Sequence, residues 1–409
     1  MSKESSPSEC LSPAQDRVMD AALGSLVGAC IGDAMGAYLE FSGRPEEARV
    51  QTAMKMPGGG TYGTAPGQVT DDMELGLHLA RGLAKGRRGK EEWQNILSRG
   101  DAISEGELED VAKEYFQWII SRPFDCGNTI RTAFGGAPVM RAAKESSVSM
   151  ATTMTKSARN SGHSKANGAL MRESPLFLFC HSLVGSEYGR RVIHQIAALD
   201  CRLSHPNPTC VAASMAYVTA GAALVASAEC TADARVELAL RVAKEALSVA
   251  GGEGWEVKGW LEDAETATNS SEIGAWPMAG YVKHAFTLAF FMVKNKVPFE
   301  QAMHDVLILG GDTDTNAAIV GGLLGAFWGQ DALPRAWVQT VRTCVPNVGS
   351  KVPRDPSVYA PSLLYEYAPI LMERSPCHDC LSGSPPEPAK GLHCKKTVCV
   401  AEDDAAGLS

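Results

Sequence analysis

The chain has 409 residues, 45% of them apolar and 21% charged, which is ample material for a packed core and excludes global disorder. At roughly 150 residues per domain, this length admits two or three domains or one large core with tails. A net charge of −9 gives no sign of the basic surface that binding to nucleic acid phosphates requires, so no nucleic acid partner is expected.

The opening MSKESSPSECLSP has no apolar stretch of the secretory kind, so residues 1–16 read as a disordered polar tail. The twelve cysteines are scattered through the chain, many of them inside apolar stretches, and form no short framework. They read as reduced thiols of a cytoplasmic protein. The body then reads helical nearly throughout. Residues 18–37 are small and apolar, as in a buried helix. Residues 71–85 open with carboxylates and close on Lys-Gly, a start and a stop in the right order. Residues 203–228 hold no Lys, Arg, Asp or Glu and are long enough to span a bilayer, but they contain His205, Pro206, Asn207 and Pro208 and are otherwise mostly small. A buried, tightly packed helix is the better reading, with no membrane involved.

Val236, Ala239, Leu240, Ala243 and Leu247 recur at helical spacing, and residues 316–328 are apolar with glycines among them. Segments 57–67, 145–167 and 251–277 read as loops, and loops of that length inside a domain tend to be functional. Residues 373–409 read as a disordered Pro/Cys tail. The expected fold is all-α: a single compact orthogonal helical domain over residues 17–372.

Two acidic motifs carry chemistry. One is Gln68-Val69-Thr70-Asp71-Asp72-Met73-Glu74, where a Gly-rich loop becomes a helix; the other is Gly310-Gly311-Asp312-Thr313-Asp314-Thr315-Asn316. Either alone reads as helix capping. Together they offer more than a cap needs, since each supplies two carboxylates and threonine hydroxyls. Clustered acids repel unless a cation compensates, and oxygen-only donors suit Mg²⁺ or Mn²⁺ rather than zinc. A third element is the stretch Gly28 to Phe41. Its Asp33 is either a site residue or a structural hydrogen-bonding group. Its Glu40 lies at the end of the glycine-rich helix, where a carboxylate opposes the helix dipole.

These motifs, with Asn167-Gly168-Ala169-Leu170-Met171-Arg172, Leu203-Ser204-His205 and Gly280-Tyr281, resemble in content and order the ADP-ribosylglycohydrolases. The subgroup most similar is the arginine-specific, dinitrogenase-reductase-activating one. The resemblance implies an all-helical fold with two Mg²⁺ or Mn²⁺ ions per subunit. Thr70, Asp71 and Asp72 would be ligands from one side and Asp312, Asp314 and Thr315 from the other, with Glu40 at or beside the metals. The segment Ser121 to Thr129 resembles the one that carries a catalytic aspartate, here Asp125, with Asn128 near the substrate ribose. Asn167, Gly168, His205 and Tyr281 match substrate-pocket positions. Met73 departs from relatives that carry threonine there; it is expected to face the core.

Other candidates stay open on the sequence alone. His163 and Lys165 read as a solvated loop or as phosphate contacts. Arg172 pairs either with a phosphate or with Glu173 at the surface. Trp255, Trp260 and Trp276 read as packing or as an adenine stack. Cys377-x-x-Cys380, with Cys394, Cys399, His378 and His393, has partial zinc spacing but few hydrophobic neighbours. The expected function is metal-dependent hydrolysis of the bond between ADP-ribose and a protein arginine, by a monomer that takes an ADP-ribosylated protein and releases ADP-ribose. Asp125 is the first choice for acid/base work and Glu40 the second. The alternatives are serine or O-acyl linkages, a non-catalytic binding or structural derivative of the fold, or a metal-dependent phosphoesterase.

Overall fold

The computed structural model describes residues 13–85, 108–145 and 147–375. Among the described residues the architecture is helical, with extended pairing limited to two isolated bridges, Gly59 with Thr64 and Ala166 with Tyr281. The helices that position the site are α1 (Pro13–Gly36), α2 (Asp71–Lys85), α3 (Glu109–Ile120), α4 (Asn128–Gly135), α5 (Pro208–Ala226), α6 (Gly252–Thr266), α7 (Val282–Lys294) and α8 (Thr313–Trp328). One apolar cluster runs from Ala22 of α1 to Leu371, so these helices share a single core.

Helix α8 is apolar on every side, the composition of a helix surrounded by protein, and residues 313–327 are all buried. It lies antiparallel on α1, where glycine recurs at every fourth position. Gly24, Gly28, Gly32 and Gly36 of α1 face Gly325, Gly321, Ala317 and Asp314 of α8 in turn. A Cβ on Gly28 would stand 2.3 Å from the Gly321 carbonyl oxygen, and one on Gly321 would stand 2.2 Å from that of Gly28. Backbone therefore meets backbone along the whole contact.

Helix α5 is the uncharged stretch. It starts at Pro208, its first turn is capped by the Asn207 side chain accepting from the Thr209 amide, and residues 209–225 are buried. Both α1 and α5 are long and apolar enough to cross a membrane, and both are spent mostly on internal packing. Among the described residues the cysteines, Cys30, Cys126, Cys180, Cys201, Cys210, Cys230 and Cys344, form no disulfide. The histidines and cysteines of the C-terminal tail lie outside the described residues.

Three expectations about local structure need correction. Helix α1 begins at Pro13, inside the stretch expected to be unstructured, because proline suits a first turn whose amide has no partner anyway. Residues 150–158 form a helix within the expected 145–167 loop: the Ser149 side chain accepts from the Thr152 amide, and the Glu109 carboxylate accepts from Met150 and Ala151. The expected 251–277 loop contains α6, whose Val257, Trp260, Leu261 and Ala264 are buried at helical spacing.

Gly28→Ala tests the backbone contact. The added methyl gains helix propensity of about 1 kcal/mol but has no room, and overpacking typically costs about 1–3 kcal/mol or more. We expect a net loss of stability in a denaturant titration. A variant as stable as the wild type would contradict the close approach.

Candidate active site

The ends of three helices meet at one place. At the C-terminus of α1, Thr313 donates through its hydroxyl to the Gly36 carbonyl at 2.8 Å, which joins the last turn of α1 to the first turn of α8. Four residues beyond Gly36, the chain delivers Glu40. On the other side, Gly310 and Gly311 take φ of 71° and 80°, a left-handed pair that L side chains resist, and turn the chain sharply into Asp312. Gly310 packs under the Gly43 carbonyl and Gly311 under the Ala275 carbonyl, so loops 41–44 and 274–280 flank the turn. Helix α2 is capped from outside itself. The Asp33 carboxylate of α1 accepts from the Thr70 amide at 2.9 Å, the Met73 amide at 3.0 Å and the Thr70 hydroxyl at 3.0 Å. Asp33 is thus the structural alternative of its two readings: it fixes α2 to α1.

Glu40, Asp312 and Asp314 each place a carboxylate oxygen within 4.8 Å of the others. Asp71, Asp72 and Asp125 lie close enough to add to the same field. Burial first, then Asp312, pushes the Asp72 carboxyl up to about 8, with Thr70 and Thr315 hydrogen bonds opposing. Glu40 also rises to about 8, through burial and then Asp125. Asp71 and Asp314 are raised mainly by burial, and then by Asp125 and Glu40 respectively. Two buried oxygens in the cluster, Glu40 Oε2 and Asp72 Oδ1, have no hydrogen-bond partner. Unpartnered buried carboxylate oxygens beside threonine hydroxyls fit a hard divalent cation.

The remaining sequence-selected residues arrange around this cluster. Asp125 is half-buried, with its Oδ1 accepting from the Cys126 amide at 2.8 Å. Asn128 opens α4 and is exposed. Asn167 donates through Nδ2 to Asp312 Oδ2 at 2.8 Å, and its amide bonds to the Gly280 carbonyl at 3.1 Å. Gly168 lies against the His205 ring, where a Cβ would stand 2.9 Å from Cε1. His205 is buried and neutral, its pKa lowered to about 3 by burial and then by Arg172, with Nδ1 2.8 Å from Ser204 Oγ. Tyr281 is half-buried and donates to Glu256 at 3.0 Å. Thr70 and Thr315 are buried, and Met73 faces the core as expected.

Arg172 matches neither of its two readings. It is fully buried, pairs with Asp200 at 3.1 Å, donates to Gly168 O and Ser204 Oγ, and lies over the Tyr115 ring. It pins the Gly168 turn to the His205 turn. Lys165 and His163 lie on a solvated loop, as the first of their two readings has it: the Lys165 side chain is 38% exposed and pairs with Glu256 at 2.7 Å, and His163 is exposed. Trp260 packs on Tyr281, whereas Trp255 and Trp276 are exposed.

Several supporting residues carried no sequence signal. Arg354 clamps the buried Glu74 carboxylate at 2.7 and 2.9 Å and reaches Ser121 Oγ at 2.9 Å, so it fixes the start of the segment that bears Asp125. Trp118 of α3 donates to the same Glu74 at 2.8 Å. Glu256 of α6 gathers Lys165, Thr209 and Tyr281 onto one carboxylate. A glutamate after a carboxylate-rich helix start and an arginine between prolines are common, so only proximity identifies them.

The chain matches the ADP-ribosylglycohydrolase profile over residues 14–360, which takes in every element of this cluster. It belongs to the ADP-ribosylglycohydrolase family. It is 28% identical over 329 residues to the ADP-ribosyl-(dinitrogen reductase) glycohydrolase of Rhodospirillum rubrum, covering 78% of this chain and 90% of that protein. It is 27% identical over 335 residues to the ADP-ribosylarginine hydrolase Tri1 of Serratia proteamaculans, covering 80% of this chain and 77% of that one. A solved structure described as an ADP-ribosylglycohydrolase-related protein complex has the same fold, with a TM-score of 0.56 at 22% identity over 88% of this chain and 99% of that chain.

Two stability predictions follow from the charges beside the cleft. Arg354→Met leaves Glu74 buried and unpaired and should cost about 3–5 kcal/mol, read from denaturant midpoints. Glu173 is buried, neither of its oxygens has a partner, and burial followed by Asp200 raises its pKa to about 8. A carboxyl raised in the folded state contributes stability that is full below its ordinary pKa of 4.5 and is lost as the pH climbs through about 8. Glu173→Gln should therefore flatten the decline of the midpoint between those limits; an unchanged slope would refute the assignment.

Proposed function

We propose that this family member hydrolyses the N-glycosidic bond between ADP-ribose and a protein arginine, reversing mono-ADP-ribosylation and releasing ADP-ribose. The observation that carries the reading is the meeting of the Glu40, Asp312 and Asp314 oxygens within 4.8 Å, beside Asp71, Asp72 and Asp125. The similarity to an ADP-ribosylarginine hydrolase and to a dinitrogen-reductase glycohydrolase supports arginine as the linkage.

Thr70, Asp71 and Asp72 on one side and Asp312, Asp314 and Thr315 on the other would hold two Mg²⁺ or Mn²⁺ ions, with Glu40 beside them. When bound, such ions polarise coordinated oxygens and lower the pKa of water. The chain's own residues then have three tasks. Cleavage at the anomeric carbon develops oxocarbenium character, which the surrounding carboxylates favour electrostatically. The departing guanidine needs a proton and the attacking water must lose one; Asp125 is the residue assigned to this exchange and Glu40 the second. Asn128, Asn167, Gly168, His205 and Tyr281 line and orient the ADP-ribose. His205, being neutral, acts there as a hydrogen-bonding group rather than as a cation.

The test is the release of free ADP-ribose from arginine-linked and serine-linked conjugates by protein supplied with Mg²⁺ or Mn²⁺. Turnover of the arginine conjugate, lost with a chelator and restored by the metal, is the expected result. Turnover of serine conjugates alone would move the linkage, and inertness on both would leave a non-catalytic derivative of the fold. Asp312→Asn and Asp314→Asn should each lower turnover by about a hundredfold or more. Without metal they should unfold no earlier than the wild type, because each takes an acid out of a crowded, buried cluster. Full activity in either variant would refute the ligand set.

A further inference from the structure

The Gly-rich loop 57–67 has a built shape that the functional reading leaves unused. Gly59 and Thr64 exchange backbone hydrogen bonds at 2.8 and 3.2 Å, closing a narrow hairpin-like turn. At its tip, Gly60 takes φ of 63° and passes so close to Tyr38 that a Cβ would stand 2.5 Å from its Cα. The Thr61 hydroxyl donates to the Glu40 carbonyl at 2.6 Å, and the Gly63 carbonyl accepts from the Lys351 amide at 2.8 Å. Held on both sides, the turn presents Tyr62. Its ring meets the Phe124 ring edge-on at 5.3 Å, one residue before Asp125. Its hydroxyl is sealed from solvent, has the Glu40 and Asp125 carboxylates as charged neighbours, and makes no hydrogen bond of good geometry.

We propose that Tyr62 is a positioning residue for Asp125, its hydroxyl donating to the carboxylate oxygen that the Cys126 amide leaves free. A phenol has one proton to give, and a buried donor beside two carboxylates costs free energy until it gives it. Asp125 is the better recipient on three counts. One of its oxygens is already fixed by the Cys126 amide, so a second bond fixes the plane of the carboxylate. The Tyr62–Phe124 ring contact makes the two segments move together. Glu40 places an oxygen within 4.8 Å of Asp312 and Asp314, where the proposed ions would take it. Cleft hydrogen bonds commonly tighten with ligand bound, and that tightening completes the bond. The glycines of the loop then have a purpose: they let a rigid turn bring an aromatic hydroxyl to a carboxylate that the adjoining chain cannot itself orient.

The catalytic part of this inference rests on the hydrolase reading; the hydrogen bond does not, and the experiment separates them. In full-length protein labelled with ¹³Cζ-tyrosine and saturated with ADP-ribose, the Tyr62 signal is identified by its loss in Tyr62→Phe. It should shift in Asp125→Ala; an unmoved signal would overturn the proposal. On the metal-supplied enzyme, Tyr62→Phe should lower kcat by about tenfold or more. KM, the Kd for ADP-ribose and Tm should stay near wild type, a split that lost packing would not give. An unchanged kcat, or parallel losses in kcat, Kd and Tm, would also overturn it. If the signal shifts while the wild type cleaves neither conjugate, the hydrolase reading falls and Tyr62 stands as the orienting partner of Asp125 in a binding site.

Discussion

The glycine contact between α1 and α8 sets the position of every acidic side chain in the cleft. Because the helices are antiparallel and touch backbone to backbone, the end of α1 lies against the beginning of α8 with no side chain to blur the register. Glu40 leaves one helix where Asp312 and Asp314 enter the other. Asp33, on the same α1, caps α2 and so brings Asp71 and Asp72 to the same spot. A cluster drawn from segments hundreds of residues apart thus depends on one helix and its spacing of glycine.

The acids of the protein divide by how well they are satisfied. Asp33, Glu74 and Asp200 are buried and each receives several hydrogen bonds or an arginine, the condition under which a buried carboxylate holds a fold together. The cleft acids crowd one another with no arginine among their partners, and Glu40 and Asp72 each keep a buried oxygen in reserve. The positive ends of α2 and α8 point into the cluster and offset part of the repulsion, by no more than about 1–2 kcal/mol each. The remainder is repulsion of the kind a divalent cation would offset. Glu173 has the unsatisfied character of a cleft acid but sits in the core, where burial and then Asp200 push its pKa up to about 8.

Around the cluster stands a layer of residues that fix loops rather than touch the acids. Arg172 ties the Gly168 turn to the His205 turn, Glu256 ties Lys165 and Tyr281 to α6, and Arg354 ties the Asp125 segment to Glu74 of α2. Each works because a single branched or forked side chain bonds elements that are distant in sequence. Each is also a common residue in an unremarkable context, which is why motif reading passes over Glu256 and Arg354 and leaves Arg172 between two readings that both fail.

The linear sequence determined the helical class, the burial of α5 from its lack of charge and of α8 from its apolar run after Asn316, and the start of α2 from its carboxylates, since composition and periodicity act within a few turns of chain. It also marked the two acidic motifs, because a helix start with more oxygens than a cap can use is visible locally. What only the folded chain decided is which of those oxygens meet, that Asp33 braces while Asp72 and Glu40 stand unpartnered, and that Tyr62 arrives beside Asp125. Those outcomes depend on contacts between segments far apart in the chain, and the close approach of two helices is a property of the pair that neither carries alone.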